Sequence, residues 1–208
     1  MSPDYMAMAT AERAELADLL VSLTPEQWDG PTLCDGWSVR DVVAHMFSYD
    51  ELTPLGTVGR MVKGRLTPGG PNALGIAAYS DCSPGRLVTL VQENLRPRGL
   101  TAGFGGRIAL CDGMIHQQDI RRPLGLTRHI PDDRMHATLE FAKTAPLIHS
   151  KKRIKCLALV ATDVDWRTGD GPVVRGPAES LLMALAGRRG VTDELTGPGL
   201  PTLVERIG

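Results

Sequence analysis

An aspartate and a histidine four residues apart constrain this chain more than any other feature. Asp112 and His116 lie in the segment of residues 111–122, which we predict to be helical. On a helix, residues at this spacing lie on one face, a turn apart. A carboxylate oxygen and an imidazole nitrogen placed in this way form half of a metal site, and Zn²⁺ accepts both kinds of ligand. If a metal is bound, the fold must bring a further ligand to this helix face.

The further ligand that the sequence offers is His45. It lies in a second, mostly apolar predicted helix that begins after Ser38. If the two helices pack face to face, His45, Asp112 and His116 can close on one ion. Three protein ligands leave at least one coordination position open, which is typical of a catalytic metal. From spacing alone, a solvated Asp–His hydrogen bond and a metal-free core histidine remain alternatives.

Two acidic residues near these histidines have different expected roles. Asp119 follows His116 by three residues. It is a candidate to orient His116, or else an exposed acid near the end of the helix, where it would oppose the helix dipole. Asp41 lies four residues before His45, but together with Ser38 it forms a capping-box pattern. We therefore assign Asp41 to the start of its helix and not to the metal.

Two arginines and one cysteine complete the candidate site residues. Arg122 and Arg188 are candidates to bind an acidic substrate or cofactor, with a surface location as the alternative. The chain has four cysteines and no Cys-x-x-Cys pair, which argues against a zinc finger or a thioredoxin-like motif. Cys111 is expected in the core. Cys34 precedes the His45 helix, near the expected mouth of the site, with a small buried apolar residue as the alternative.

Composition narrows the classes of partner. The 208 residues carry a formal net charge of −1, and 42% of them are hydrophobic. This balance favours a core of ordinary size and gives no sign of a nucleic-acid or membrane partner. No apolar run is long enough to span a bilayer, and the N-terminus lacks the pattern of a secretory signal. The expected location is the cytoplasm, where the cysteines would be free.

The hydrophobic pattern divides the chain near residue 150. Period-3.6 stripes and helix-start signals predict helices before this point, and we expect residues 1–150 to form a metal-binding helical bundle. Predicted helices cover residues 9–23, 25–28, 38–52, 84–95, 107–122 and 131–148, with a loop at 66–72. After residue 150 we predict a buried strand at 154–163, a two-stranded turn at 164–175, helices at 177–186 and 200–207, and a last strand at 191–196. Residues 151–208 should form a small α/β extension packed on the bundle.

A family resemblance adds to this interpretation. Residues 32–46, which include Cys34, Trp37, Ser38, Asp41 and His45, resemble the signature of the mycothiol-dependent maleylpyruvate isomerase family, a branch of the DinB-like superfamily. In that family this run supplies the first metal ligand, and a later acid-x-x-x-His pair supplies two more. The matching positions here are His45, Asp112 and His116, although the family usually has Glu or His in place of this aspartate. The tail resembles the family too, through Gly176, Pro177, Ala178, Leu181, Leu182, Gly187 and Arg188.

The resemblance implies a fold and a function. The fold is mainly α, a DinB-like four-helix bundle with a small C-terminal α/β extension. The implied function is a metal-dependent transferase or isomerase that uses mycothiol and acts on a small electrophile, with zinc as the expected ion. Two alternatives stay open: a non-catalytic binding or stress-response protein with a vestigial metal site, and a metal-dependent hydrolase. The sequence leaves the substrate and the oligomeric state open, a homodimer included.

Overall fold

The computed structural model describes residues 3–208, which form two compact units that divide between Thr127 and Arg128. The helices of the first unit are α1 Tyr5–Ser22, α2 Pro25–Trp28, α3 Val39–Phe47, α4 Pro54–Gly64, α5 Gly70–Ala77, α6 Pro84–Glu93, a 3-10 segment Gly99–Gly106 and α7 Arg107–Arg121. The second unit contains α8 Asp132–Ala142, α9 Ser150–Arg153, β1 Ala158–Ala161, β2 Arg167–Thr168, β3 Val173–Gly176, α10 Ala178–Leu185, a 3-10 segment Arg189–Glu194 and α11 Leu200–Ile207. None of the helices in residues 3–208 combines the length and the apolar character needed to cross a membrane.

Local sequence sets where the helices of the first unit begin. Thr24 and Ser38 each form a complete capping box, with Gln27 and Asp41 as the reciprocal partners. The Asp41 carboxylate accepts from the Ser38 backbone N–H at 2.9 Å, so its structural role is confirmed. Such caps satisfy backbone N–H groups that the first helical turn leaves unpaired.

Four helices pack pairwise around the core of the first unit. Helix α1 packs against α6 and α7, and α3 packs against the same two helices. Fully buried side chains of these helices fill the space between them: Leu16, Leu20, Val39, Val42, Val43, Phe47, Leu87, Val91 and Ile120. The mainly helical fold class predicted from the sequence is confirmed. This packing places one face of α3 opposite one face of α7, which positions the candidate site.

A glycine allows α7 to begin directly against α1. Gly106 precedes the helix with a φ of 97°, a conformation that L-amino acids rarely adopt. A Cβ atom at this position would lie 2.9 Å from the Met6 Cα atom and 3.1 Å from the Tyr5 carbonyl oxygen. Only glycine therefore fits both the backbone angle and the close approach of the two helices.

Three predicted boundaries in the helical part were wrong. Helix α3 ends at Phe47, not near residue 52, because the following turn is held by side chains of other helices: Arg60 binds the Ser48 carbonyl, and Arg13 binds Asp50. Helix α5 begins at Gly70, inside the segment predicted to be a loop. There Gly69 has a φ of 78° and Pro71 occupies the first turn, where a proline costs no hydrogen bond. The helix predicted to reach residue 148 ends at Ala142, four residues before Pro146.

The sheet of the second unit differs from the predicted hairpin. Its strand order is β2-β1-β3, with β2 antiparallel and β3 parallel to β1. The two short strands therefore flank β1 and do not pair with each other. The segment that follows β2 passes close to the beginning of β1. A Cβ atom on Gly169 would lie 2.2 Å from the Leu157 carbonyl oxygen, so only glycine fits there. The last predicted strand is instead a 3-10 segment, followed by a single bridge between Thr196 and Arg175.

Helix α8 belongs with the C-terminal elements. It packs against α10, and its Glu140 carboxylate accepts a hydrogen bond from the Trp166 indole N–H at 2.9 Å. The domain boundary predicted at residues 150 and 151 thus falls within the second unit. Whether residues 1–150 and 151–208 act as separate domains stays a prediction, as does the packing of the extension on the bundle.

Candidate metal centre

The structure brings His45, Asp112 and His116 together. His45 extends from α3, and the other two residues extend from one face of α7. The Asp112 Oδ1 atom lies 3.5 Å from His116 Nε2 and 3.8 Å from His45 Nε2. All three ligand atoms lie within 4.8 Å of one another. The packing of α3 on α7 therefore places these three side chains together, as the sequence predicted.

The spacing of these three atoms fits one small divalent ion. Zinc binds imidazole nitrogen and carboxylate oxygen at about 2.0–2.2 Å, so two ligand atoms of a tetrahedral site are about 3.4 Å apart. The distances from Asp112 to the two histidines exceed this value by no more than about 0.4 Å. The shorter aspartate, in place of the usual glutamate, thus still reaches the histidine pair. The two distances to Asp112 therefore suit zinc, and all three ligand atoms lie close enough together to surround one ion.

Aromatic rings surround the two histidines. The Trp37 ring centre lies 5.1 Å from that of His45 and 6.5 Å from that of His116. Tyr49 presents its edge to His45, with the ring centres 6.1 Å apart, and its hydroxyl lies 2.8 Å from the Asn72 Oδ1 atom. Sequence reasoning missed Tyr49, which lies just beyond α3; on the helix predicted to reach residue 52, its spacing of four from His45 could have pointed to it.

The buried edge of His45 carries one unusual atom. Its Nδ1 has no hydrogen-bond partner among the residues that the structure describes. An unpaired buried polar atom costs about 1–3 kcal/mol. The other ring nitrogen, Nε2, is the one that faces Asp112. The orientation that brings His45 Nε2 to Asp112 therefore leaves Nδ1 unpaired and lowers the stability of the fold.

Asp119 contacts the His116 ring on the side that faces away from Asp112. Its side chain is fully buried, and its Oδ2 atom lies 2.8 Å from His116 Nδ1. Asp119 is therefore not the exposed acid considered as one alternative from the sequence. A carboxylate that accepts a hydrogen bond from Nδ1–H leaves the Nε2 lone pair to bind a metal ion, the usual arrangement for a metal-binding histidine.

Cys34 joins the same group through its loop. The Leu33 backbone N–H donates to the Asp119 carbonyl at 3.1 Å, which attaches the loop to α7. The Cys34 Sγ atom then lies 3.1 Å from Asp119 Oδ2 and 3.8 Å from His116 Nδ1. The sequence singled out this cysteine by its place before the His45 helix, but not its contact with Asp119. Cys111, in contrast, is buried as expected, and its burial raises the pKa of its thiol.

Opposite charges set the protonation of the site. Burial by itself lowers the pKa of the His116 imidazole, but Asp112, Asp119 and Cys34 together raise it to about 10. Burial likewise opposes ionisation of Asp112, yet the neighbouring His116 and His45 hold the pKa of its carboxyl below the ordinary value. In the absence of metal, His116 is therefore protonated and Asp112 ionised at neutral pH. A metal ion would replace that proton as the positive charge between the acids.

The two candidate arginines lie at helix ends. Arg122 follows α7 directly and is half-buried. Arg188 belongs to the second unit, three residues after the end of α10, where its guanidinium donates to the Ala186 carbonyl at 3.3 Å. Their predicted role in binding an acidic group stays a prediction.

The N-terminal part of the chain is similar to a known protein family. Residues 9–97 match the family model described as the mycothiol maleylpyruvate isomerase N-terminal domain. The family resemblance is confirmed for this segment. It includes His45 but not the α7 pair, and no curated protein matches the chain.

Two solved structures resemble the fold of the whole chain. One is a mycothiol-dependent maleylpyruvate isomerase, with a TM-score of 0.63 and 16% sequence identity. The other is a histidine-to-alanine mutant of a protein with the same name, with a TM-score of 0.64 and 17% identity. Each match covers 93% of this chain and 91% of the other. The likeness shows that the maleylpyruvate isomerase fold extends beyond the matched N-terminal segment.

Proposed function

We propose that this chain is a metal-dependent transferase or isomerase that uses mycothiol and acts on a small electrophile. The observation that carries the proposal is the group of three ligand atoms from His45, Asp112 and His116, spaced for one ion. The match of residues 9–97 to the maleylpyruvate isomerase N-terminal domain supports mycothiol as the thiol cosubstrate. The solved structures of similar fold carry the same name.

In this proposal the ion is zinc, held by the Nε2 atoms of His45 and His116 and the carboxylate of Asp112. Two imidazoles and one carboxylate form a common set for catalytic zinc, with a position left open. When bound, such an ion lowers the pKa of a coordinated thiol or water, and so supplies a nucleophile at neutral pH.

The remaining residues of the site orient the His116 ring and shield the ligands from water. The Asp119 carboxylate accepts a hydrogen bond from the His116 Nδ1–H at 2.8 Å and so would hold the ring with Nε2 toward the proposed ion site. Trp37 and Tyr49 place apolar ring surface beside His45, which limits the access of water to the ligands. Together these contacts lower the local dielectric constant and strengthen the electrostatic interactions within the site.

The proposal also keeps the cytoplasm as the location, because a reducing compartment maintains low-molecular-weight thiols in the reduced form. One chain supplies all three candidate ligands. A homodimer is therefore compatible with the proposal but is not needed to complete the metal site.

His116→Ala tests the proposal directly. The protein is purified without chelators, its zinc content is measured, and thiol transfer to small electrophiles is assayed with and without mycothiol. We expect wild type to hold about one ion per chain, and His116→Ala to lose both the ion and the thiol-dependent turnover, because two ligands bind zinc much more weakly than three. The exposed His136 on α8 provides the matched control, and His136→Ala should retain both.

Each of the other outcomes has a definite meaning. Full metal content and full activity in His116→Ala would overturn the site assignment. Metal without turnover in wild type would favour a binding protein. Turnover that does not depend on mycothiol would favour a metal-dependent hydrolase.

A further inference from the structure

A second group of ligand atoms lies on the opposite side of His116. It consists of Cys34 Sγ, His116 Nδ1 and Asp119 Oδ2, all within 4.8 Å of one another. The pairwise distances are 2.8 Å from nitrogen to oxygen, 3.1 Å from sulfur to oxygen and 3.8 Å from sulfur to nitrogen. This group combines a thiol with an imidazole and a carboxylate, whereas the first group contains no sulfur.

The size of the second group suits a tetrahedral ion. With zinc bonds of about 2.3 Å to sulfur and about 2.1 Å to nitrogen and oxygen, the ligand atoms would be about 3.4–3.6 Å apart. The observed distances differ from these by no more than about 0.6 Å. The largest difference is between His116 Nδ1 and Asp119 Oδ2, which would move apart by about 0.6 Å on binding, while Cys34, in a loop between Pro31 and Ser38, would need a smaller adjustment.

A nucleophilic triad does not explain the same three residues. In such a triad the histidine contacts the nucleophile through one ring nitrogen and the acid through the other. Here Cys34 and Asp119 both approach Nδ1 of His116, while Nε2 faces Asp112. The histidine therefore cannot pass a proton from the thiol through its ring to the acid. Metal binding is the chemistry that this arrangement of donors supports best.

We propose that Cys34, His116 and Asp119 form a second site, for a thiophilic divalent ion such as Cd²⁺, and that its occupation excludes an ion from the first site. Thiolate ligands select soft ions. Binding breaks the S–H bond of Cys34 and the Nδ1–H bond of His116, and both protons pass to solvent.

An ion in the second site excludes an ion from the first because both sites use the imidazole ring of His116. A neutral imidazole has a single lone pair, so an ion on Nδ1 leaves the proton on Nε2, which faces Asp112. The first site then loses one of its three ligands. The exclusion depends on the proposed function of the first site, but binding at the sulfur-containing site does not.

The sulfur site is tested with Cd²⁺ added to the full-length, metal-free protein, with a reductant that is not a thiol. Ultraviolet absorption from a thiolate–cadmium bond reports the site directly. We expect the band in wild type, its retention in His45→Ala, which impairs only the first site, and its loss in Cys34→Ser. Cys156 is the exposed cysteine, so Cys156→Ser should keep the band and serves as the matched control.

Exclusion is tested by counting ions after excess Zn²⁺ and Cd²⁺ are added together and removed by gel filtration. We expect about one ion in total per chain. A total of two, with the thiolate band present, would overturn exclusion. A band that persists in Cys34→Ser, or no band in wild type, would overturn the second site. Failure of the proposed function gives a different pattern, in which the band remains in wild type while zinc binding does not depend on His45.

Discussion

At the residue scale, the chemistry of the candidate site depends on the two nitrogens of His116. Nε2 faces Asp112 and the histidine of α3, whereas Nδ1 faces Asp119 and Cys34. Whatever binds on one side of the ring therefore changes what the other side can do. Two predictions follow from this arrangement.

The first prediction concerns Asp119→Asn. Asparagine keeps the size of the side chain but removes the negative charge that orients His116 and favours its Nδ1 proton. We expect zinc affinity and thiol-dependent turnover to fall roughly 10–100-fold, the usual cost of losing such a partner. Zinc titration against a competing chelator measures the change. Asp81→Asn alters an exposed acid of the same unit and should have no effect; an equal loss in that variant would contradict the explanation.

The second prediction concerns pH. The pKa of His116 is raised to about 10 in the metal-free fold, from an ordinary value of 6.5. Zinc must displace this proton, so affinity should rise with pH by about tenfold per unit below pH 10. The same shift stabilises the metal-free fold; this contribution is complete below pH 6.5 and is lost as pH rises through about 10. Calorimetry in buffers of different ionisation enthalpy should show proton release; a zinc affinity independent of pH would contradict the assignment.

At the element scale, a buried ion pair connects the segments around the core of the first unit. Arg13 on α1 lies 2.5 Å from Asp50, in the turn after α3, and both side chains are almost completely buried. The same guanidinium donates to the Asn94 carbonyl at the end of α6 and to Thr101 in the 3-10 segment. These bonds join four separate parts of the first unit, including the end of the helix that carries His45.

We therefore predict that Asp50→Ala lowers the free energy of unfolding by about 3–5 kcal/mol, because it leaves Arg13 buried without its counter-charge. Urea denaturation measures the change. The pair formed by the exposed Asp29 and the half-buried Arg40 is the matched control, and Asp29→Ala should cost no more than about 1 kcal/mol. If the cause is the unpaired charge, the double variant Arg13→Met with Asp50→Leu recovers most of the loss. A double variant as unstable as Asp50→Ala would show that another effect dominates.

At the scale of the whole molecule, the C-terminal elements depend on α8. Helix α10 packs on α8, and Trp166 donates to Glu140 across the boundary that the sequence suggested. Residues 151–208 alone would expose the apolar side of α10 and bury too little surface to be stable. We predict that limited proteolysis releases no folded fragment that begins near residue 151. A resistant fragment of residues 151–208 with native-like circular dichroism would contradict this prediction.

The sequence by itself determined the features that depend on neighbours along the chain. Capping boxes at Thr24 and Ser38, the apolar stripes of α1 and α6, and the pairing of Asp112 with His116 follow from the helical repeat. For this reason the mainly helical fold and the three candidate ligands could be predicted before the structure was known.

Only the tertiary structure decided the features that depend on distant contacts. Helix α3 ends early because Arg13 and Arg60 hold the turn after it. The strands that follow β1 pair with its two edges and not with each other. Asp119 is buried because the loop of Cys34 covers it. In each case the deciding partner lies at least seven residues away along the chain, and local propensity carries no information about which of these groups will meet.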